Sequence, residues 1–498
     1  MKKVLLTSLN SKYVHSNLAL KYLYLAGKDV CPGLEIREFT INNSRDYIFN
    51  ELVMGDYDAV CFSCYIWNIE KTTELAADLK KAKPQVSILF GGPEVSYDSQ
   101  EFMENHPFLD FLIYGEGEEV FANWCQVFNG SGDFTAVEGL LYRQAGICMN
   151  PPATPLEFAT SPFPYGSFSC ETDKVIYYEA SRGCPFNCSY CISSLDRRIR
   201  ELPTERVKED LGYFLSQSVK QVKFLDRTFN WDRKRSLELF RFLIDNDNGI
   251  TNFHFEVCAD LLDDEILQTL ATARHGLFQF EIGIQSTNGP TLEAVNRSSN
   301  VEKVLENVRR LVALGNSHIH VDLIAGLPYE DYATFRKSFN DVYGLGADNL
   351  QLGFLKLLKG TDIRRQAAAY NYQYMDTAPF QVISNDFISA VELCRLKQIE
   401  EVLDLYGNRG GFRRSLAYAI EAFGKTAFDF YEAFAGYFYA NGHQHRSHKK
   451  EDLYRIFNAF GEASGFGETL TSLLMEDLEE TMNFDAVKKF KRKGWEIQ

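Results

Sequence analysis

The sequence predicts an α/β protein in three parts: an N-terminal doubly wound parallel sheet, a central partial (β/α)6 barrel and a mostly helical C-terminal region. Short apolar runs alternate with helical periodicity over the first 150 residues. A second alternation gives six strand–helix units in about 190 residues, which fits a curved partial barrel better than another flat sheet. From about residue 365 helical periodicity continues without clear strands. At roughly 100–200 residues per domain, 498 residues also suggest about three domains.

In the first part, Val4–Leu9, Leu34–Ile41, Asp58–Cys64, Val86–Phe90 and Asp110–Tyr114 read as strands, and Asn17–Leu25, Asp46–Met54, Glu70–Lys83 and Asp98–Asn105 as helices. Ligands of such sheets bind outside the carboxyl ends of the strands. Those ends carry the loops Asn10–Ser16, Tyr65–Asn68, Gly91–Glu94 and Gly115–Glu118. Residues 150–165 hold five of the fourteen prolines. Proline fixes φ and donates no hydrogen bond, so an extended linker is expected there.

Strands of the second part are Val175–Ala180, Gln221–Asp226, Phe253–Val257, Phe278–Ile284, Ile319–Ile324 and Leu350–Leu355. Helices over Glu205–Ser216, Arg235–Asn246, Asp264–Arg274, Val301–Leu314 and Tyr332–Gly344 connect them. The expected boundaries are 1–149, 150–169, 170–362 and 363–498. In the last part, aromatics recur at helical spacing over Phe412–Tyr439 and read as a helical core.

Acidic residues number 68 against 52 basic, a charge of −16, which argues against a broad phosphate-binding surface and a nucleic-acid partner. No stretch approaches the roughly 18–20 apolar residues of a membrane span. The N-terminal apolar run ends at Asn10, so it reads as a strand rather than a signal peptide, and a cytoplasmic location is expected. Eleven cysteines in so long a chain read as thiols or metal ligands rather than a disulfide frame.

The strongest local signal is Arg182-Gly183-Cys184-Pro185-Phe186-Asn187-Cys188-Ser189-Tyr190-Cys191, just after the first barrel strand. Soft thiolates at C-x3-C-x2-C spacing suit an iron–sulfur cluster or zinc. Structural zinc wants four ligands, and no fourth Cys or His lies nearby. Three ligands on a four-iron cluster leave one iron open for another molecule.

This segment resembles the radical S-adenosylmethionine (radical SAM) enzymes, which share the spacing and an aromatic before the last cysteine, here Tyr190. The resemblance implies that Cys184, Cys188 and Cys191 hold a [4Fe-4S] cluster whose open iron chelates SAM. Reductive cleavage would give methionine and a 5′-deoxyadenosyl radical, in an oxygen-sensitive protein. Further resemblances follow at successive strand ends. They are Phe224–Asn230 with Asp226 and Arg227, Glu256, then Glu281 with Gln285 and Ser286, and Asp322 with Gly326 and Leu327. With Phe186 and Tyr190, these are the SAM contacts that the resemblance implies. Asn296-Arg297 follows the fourth unit, as in many members.

Gly91-Gly92-Pro93-Glu94 and Gly115-Glu116-Gly117-Glu118 resemble the cobalamin-binding domain found before some radical SAM barrels. Consecutive glycines at a sheet edge let the backbone approach a large flat ligand. The resemblance implies cobalamin contacts at these eight residues and at Asn10, Tyr13, His15, Ser63 and Tyr65. Many cobalamin domains use Asp-x-His-x-x-Gly to ligate cobalt, a motif absent here. His15 in the first loop is a candidate cobalt ligand or other corrin or substrate contact; the alternative is cobalt without a protein ligand.

Cys61 and Cys64 form a C-x-x-C on a buried strand and read as core residues, since redox thiols usually open a helix. His443, His445 and His448 read as a solvated loop, with metal binding as the alternative. Lys488–Lys493 reads as a solvated basic helix face. The expected function is a cobalamin-dependent radical SAM enzyme that methylates a poorly activated carbon of an unknown substrate. A reducing partner such as flavodoxin or ferredoxin is implied. The rivals are a cyclase, oxidase or rearrangement enzyme, a methylthio-transferring enzyme, and a non-catalytic iron–sulfur sensor.

Overall fold

The computed structural model describes residues 2–171, 174–297 and 300–495. Its first sheet contains β1 (Val4–Asn10), β2 (Leu34–Thr40), β3 (Ala59–Ser63), β4 (Ser87–Gly91), β5 (Phe111–Ile113), β6 (Leu140–Arg143) and β7 (Ile147–Met149). Their order is β2-β1-β3-β4-β5-β6-β7, with β1 to β5 parallel. The chain leaves β1 for one side and returns to the other at β3. That reversal opens a crevice outside the strand ends, where ligands of such sheets lie. Two apolar layers cover the sheet, one led by Leu5, Leu9, Phe62 and Phe90, the other by Leu6, Cys61, Leu89 and Trp124. Alternation along β1 sends Leu5 and Leu6 to opposite faces.

Three features differ from the sequence-based expectation. β6 and β7 form an antiparallel edge, too short for a pattern of alternation to show in the sequence. Glu118, expected in a loop, opens a helix over Glu118–Phe128. The proline-rich stretch is a packed strap, because its turns at Phe158–Thr160 and Pro164–Gly166 bury Phe158 and Tyr165.

The second sheet runs β8 (Ile176–Tyr178), β11 (Gln221–Phe224), β12 (Asn252–Glu256), β13 (Phe278–Gln285), β14 (His318–Ala325) and β15 (Asn349–Phe354). All six pair in parallel and in sequence order. A small ladder of β9 (Ser181–Arg182) and β10 (Arg200–Glu201) closes the base of the cysteine segment. Period-two alternation explains the barrel interior. On β13, Phe278, Phe280, Ile282 and Ile284 bury against the helices, which leaves Gln279, Glu281, Gly283 and Gln285 for the concave face. On β14 the same rule leaves His320 and Asp322. The lumen is therefore polar.

The region after residue 365 is mostly helical but holds one short antiparallel pair, Gln373–Tyr374 with Val382–Ser384. The aromatic stretch is two helices, Arg413–Phe423 and Ala427–Ala440, and a capping box of Thr426 with Asp429 starts the second. Phe428, Phe430, Tyr431, Phe434 and Phe438 are all buried, in one apolar core continuous with that of the barrel.

Candidate active site

The cysteine loop leaves the barrel through Gly183, at φ +91°, where a Cβ would come 2.4 Å from the Arg198 carbonyl oxygen. Only glycine allows the loop to fold back so closely. Cys184 and Cys188 are buried and Cys191 is half-buried. Cys184 Sγ lies 3.7 Å from Thr228 Oγ1. Arg297 donates from Nη2 to the Gly283 carbonyl, and its Nη1 lies 3.3 Å from Tyr190 Oη and 3.8 Å from Cys188 Sγ. It thus ties the loop to the end of β13. Among the described residues no three His, Cys, Asp or Glu side chains converge on a single-ion position. A multi-iron cluster does not need such convergence, since it spreads its thiolates over separate irons.

Beside the cysteines is a cavity of about 210 Å³. Of the expected SAM contacts, Phe186, Tyr190, Arg227, Glu256, Glu281, Gln285 and Asp322 line it. His254 Nε2 lies 3.1 Å from Glu281 and Lys223 donates to it at 2.9 Å, and together they hold its carboxyl down to about 2. Burial, with Glu281 and Glu256 nearby, pushes Asp322 up to about 7. Burial also raises Glu256. Gln285, at φ +72° beside a register shift in β13, turns its side chain to the cavity. Gln285 Oε1, Asp322 Oδ1 and Arg297 Nε are buried without hydrogen-bond partners. Orphaned buried polar atoms are costly, so this cavity is built for a polar ligand.

Four expected contacts lie elsewhere. Asp226 is turned inward, where it accepts from Ala180 N at 2.9 Å and Ser181 Oγ at 2.6 Å and pins the strand before the cysteines. Ser286 is fully buried and donates to Glu330. The Gly326 carbonyl is capped by Tyr372 Oη and Asn385 Nδ2, and Leu327 is fully buried.

A second cavity of about 580 Å³ lies between the two sheets. Asn10, His15, Tyr65, Pro93, Glu94 and Glu118 line it from the first sheet, and Tyr177, Glu179, Arg182 and Arg227 from the barrel. It joins an apolar cavity of about 190 Å³ lined by Ser63, Gly91, Gly92, Gly115 and Gly117. The two share Ala19, Tyr65, Pro93 and Glu118. Gly92 has φ +111°, and a Cβ there would meet the Cys64 carbonyl oxygen at 2.6 Å. Its glycine is thus needed by the fold itself. His15 Nδ1 lies 2.6 Å from Tyr177 Oη. Burial and nearby lysines lower the imidazole pKa, while burial pushes Tyr177 up to about 12.

Two expected contacts miss these cavities. Tyr13 is 70% exposed, beneath the Lys174 ammonium. Glu116 is taken up by Arg200, Arg182 and the Leu156 N–H. With Glu118–Arg182 at 2.6 Å, it clasps the loop after β5 to the segment just before Cys184. No local pattern marks this clasp, whose arginines lie at least 64 residues from its glutamates. Arg297 and Thr228 were also missed; Arg297 had one signal, its place after the fourth unit.

Residues 178–342 match the radical SAM superfamily, and residues 4–124 match the B12 binding domain. The chain therefore carries a radical SAM domain preceded by a B12-binding domain. Residues 368–496 match a family described as a protein of unknown function, DUF4080. The chain is 28% identical over 316 residues to the cobalamin-dependent radical SAM methyltransferase TokK of Streptomyces tokunonensis. That match covers 58% of this chain and 45% of TokK, so the chain spans about half the length of the relative. The fold resembles that of the cobalamin-dependent SAM radical enzyme OxsB with aqua-cobalamin and SAM bound. There the TM-score is 0.67 at 14% identity, over 100% of this chain and 84% of that one. It also resembles the radical SAM methyltransferase TsrM from Kitasatospora setae. That likeness has TM-score 0.60 at 15% identity, over 79% of this chain and 81% of the other.

The residues present fit the groups that the two matched domains imply. Three thiolate donors with a polar, partly unsatisfied cavity beside them suit a cluster that binds SAM. The joined cavities at the B12-binding sheet edge suit a large ligand with an apolar arm. Other motifs stay structural. Burial drives the Cys61 and Cys64 thiols well up, which is wrong for a redox pair. Against the solvated loop expected there, His443 is buried, and its carbonyl meets His448 Nε2 at 2.6 Å. No described helix is long and apolar enough to cross a membrane.

Proposed function

We propose that this chain is a cobalamin-dependent radical SAM methyltransferase acting on a poorly activated carbon. The observation that carries the reading is the adjacency of two cavities, one beside the three cysteines and one at the carboxyl edge of the B12-binding sheet, with a shared residue between them. When bound, the cluster, SAM and cobalamin supply reductive SAM cleavage and methyl delivery; the protein supplies placement and exclusion of water. Cys184, Cys188 and Cys191 hold the cluster, and Arg297 and Thr228 orient its loop. Glu256, Gln285 and Asp322 face SAM, whose cationic groups suit buried carboxylates. Ser63, Tyr65, Gly91, Pro93, Gly115 and Gly117 cradle cobalamin. The division at residues 1–149, 150–169, 170–362 and 363–498 and a reducing partner such as flavodoxin or ferredoxin belong to the same reading.

The test is retention. Protein reconstituted anaerobically with iron, sulfide and hydroxocobalamin, then freed of excess, should keep a corrin on each chain. Deoxyadenosine formation without retained corrin would leave a radical SAM enzyme whose N-terminal domain serves another purpose.

A further inference from the structure

Arg227 is the one described residue that lines both the cavity beside the cysteines and the cavity between the sheets. It stands on the loop after β11, between the inward-turned Asp226 and Thr228. The neighbouring cations are taken. Arg182 holds Glu118 and Glu179, Lys359 holds Glu94, and Lys223 holds Glu281. The exposed Arg227 side chain has no hydrogen bond or ion pair among the described residues. It feels the charges of Glu179 on one side and Glu256 on the other, neither in contact. A guanidinium is always charged and presents five donors in a planar fork that matches a carboxylate or phosphate.

We infer that Arg227 binds a carboxylate or phosphate group of the substrate and holds it at the wall that the two cavities share. The inference rests on the function proposed above, since a substrate that must meet both cofactors has to lie within reach of both cavities, and Arg227 borders both. It gives the substrate class: a small anionic molecule whose reacting carbon lies near its anionic group.

The test is calorimetric titration of the reconstituted, SAM-loaded protein with inorganic phosphate and, separately, with acetate. The wild type should bind at least one of these probes, and Arg227→Met should weaken that binding by about tenfold or more. Arg227→Lys, which keeps the charge, should retain most of the phosphate binding. Corrin retention should match the wild type in both variants, and SAM affinity, measured by equilibrium dialysis, should fall by much less than the probe affinity although Arg227 also lines the SAM cavity. No binding of either probe by the wild type, or equal binding by Arg227→Met, overturns the inference. An Arg227→Met variant with SAM affinity about tenfold lower gives the guanidinium to the SAM carboxylate instead. One that loses corrin gives it to the cobalamin phosphate. If the wild type itself keeps no corrin, the function proposed above fails, and the titration of the cluster-loaded protein still decides whether Arg227 is an anion site.

Discussion

Replacing Arg182 by methionine would cut the clasp between the B12-binding sheet and the cysteine loop. Arg182 is only 13% exposed and holds three carboxylates: Glu118 at 2.6 Å, Glu179 at 3.0 Å and Glu116 at 3.3 Å. Glu116 would keep both of its 2.8 Å bonds to Arg200 and that from Leu156 N. Glu118 and Glu179 would lose their cation. Methionine keeps apolar contact with Phe158, whose ring lies 4.8 Å from the guanidinium, so the loss is chiefly electrostatic. Removing one partner of a buried ion pair costs about 3–5 kcal/mol.

The sign with pH follows. Burial already raises Glu179, and without Arg182 it rises further. A carboxyl whose folded value is raised adds stability below its unfolded value and loses it as pH climbs through the folded one. The variant's deficit is therefore largest near pH 8 and shrinks toward pH 5. Urea unfolding of the apoprotein, followed at both pH values, measures it. Adding Glu179→Gln should recover part of the loss at pH 8. A deficit under about 1 kcal/mol, the worth of an exposed pair, with no dependence on pH, would refute the reasoning.

Other outcomes are expected. Cys188→Ala should lose the cluster's iron and sulfide and its SAM cleavage while still folding; retained cleavage would sink the cysteine assignment. Gly92→Ala should destabilise the first sheet by about 3 kcal/mol in urea, through strain at positive φ and the approach to Cys64. An effect within 0.5 kcal/mol, about that of an ordinary surface change, would mean that the loop is pliable. SAM affinity should rise with pH through about 7 as Asp322 ionises beside a cationic ligand, with Glu281, Glu256, Lys223 and Arg297 as the surrounding charges. Asp322→Asn should flatten that profile; an unchanged slope would remove Asp322 from the site.

The cysteine segment and the strand-end carboxylates were legible because their information is local. A spacing of three and two residues, or a polar residue closing an apolar strand, can be read without the fold. Period two also explains why Glu281 and Asp322 share the lumen. It fails at Asp226 and Ser286, which stand at strand exits, where the backbone turns and the next few hydrogen bonds decide which way a side chain points. The capping of the Gly326 carbonyl has a longer-range cause: Tyr372 and Asn385, from beyond the barrel, donate to it. Glu116 looked like part of a ligand loop, but its partners are Arg182 and Arg200, far along the chain. Pairings of this kind leave no periodic mark. The strap at 150–165 shows the same limit, since proline content predicted extension while Phe158 and Tyr165 decided burial.

The most direct test of the central claim is product analysis of the fully loaded protein under strict anaerobiosis. With SAM and a strong reductant, mass spectrometry should detect both 5′-deoxyadenosine and S-adenosylhomocysteine, and Cys188→Ala should yield no deoxyadenosine. Deoxyadenosine without S-adenosylhomocysteine would move the protein to cyclase- or oxidase-type chemistry. Absence of both from protein carrying cluster and corrin would contradict the account and leave a binding protein in place of an enzyme.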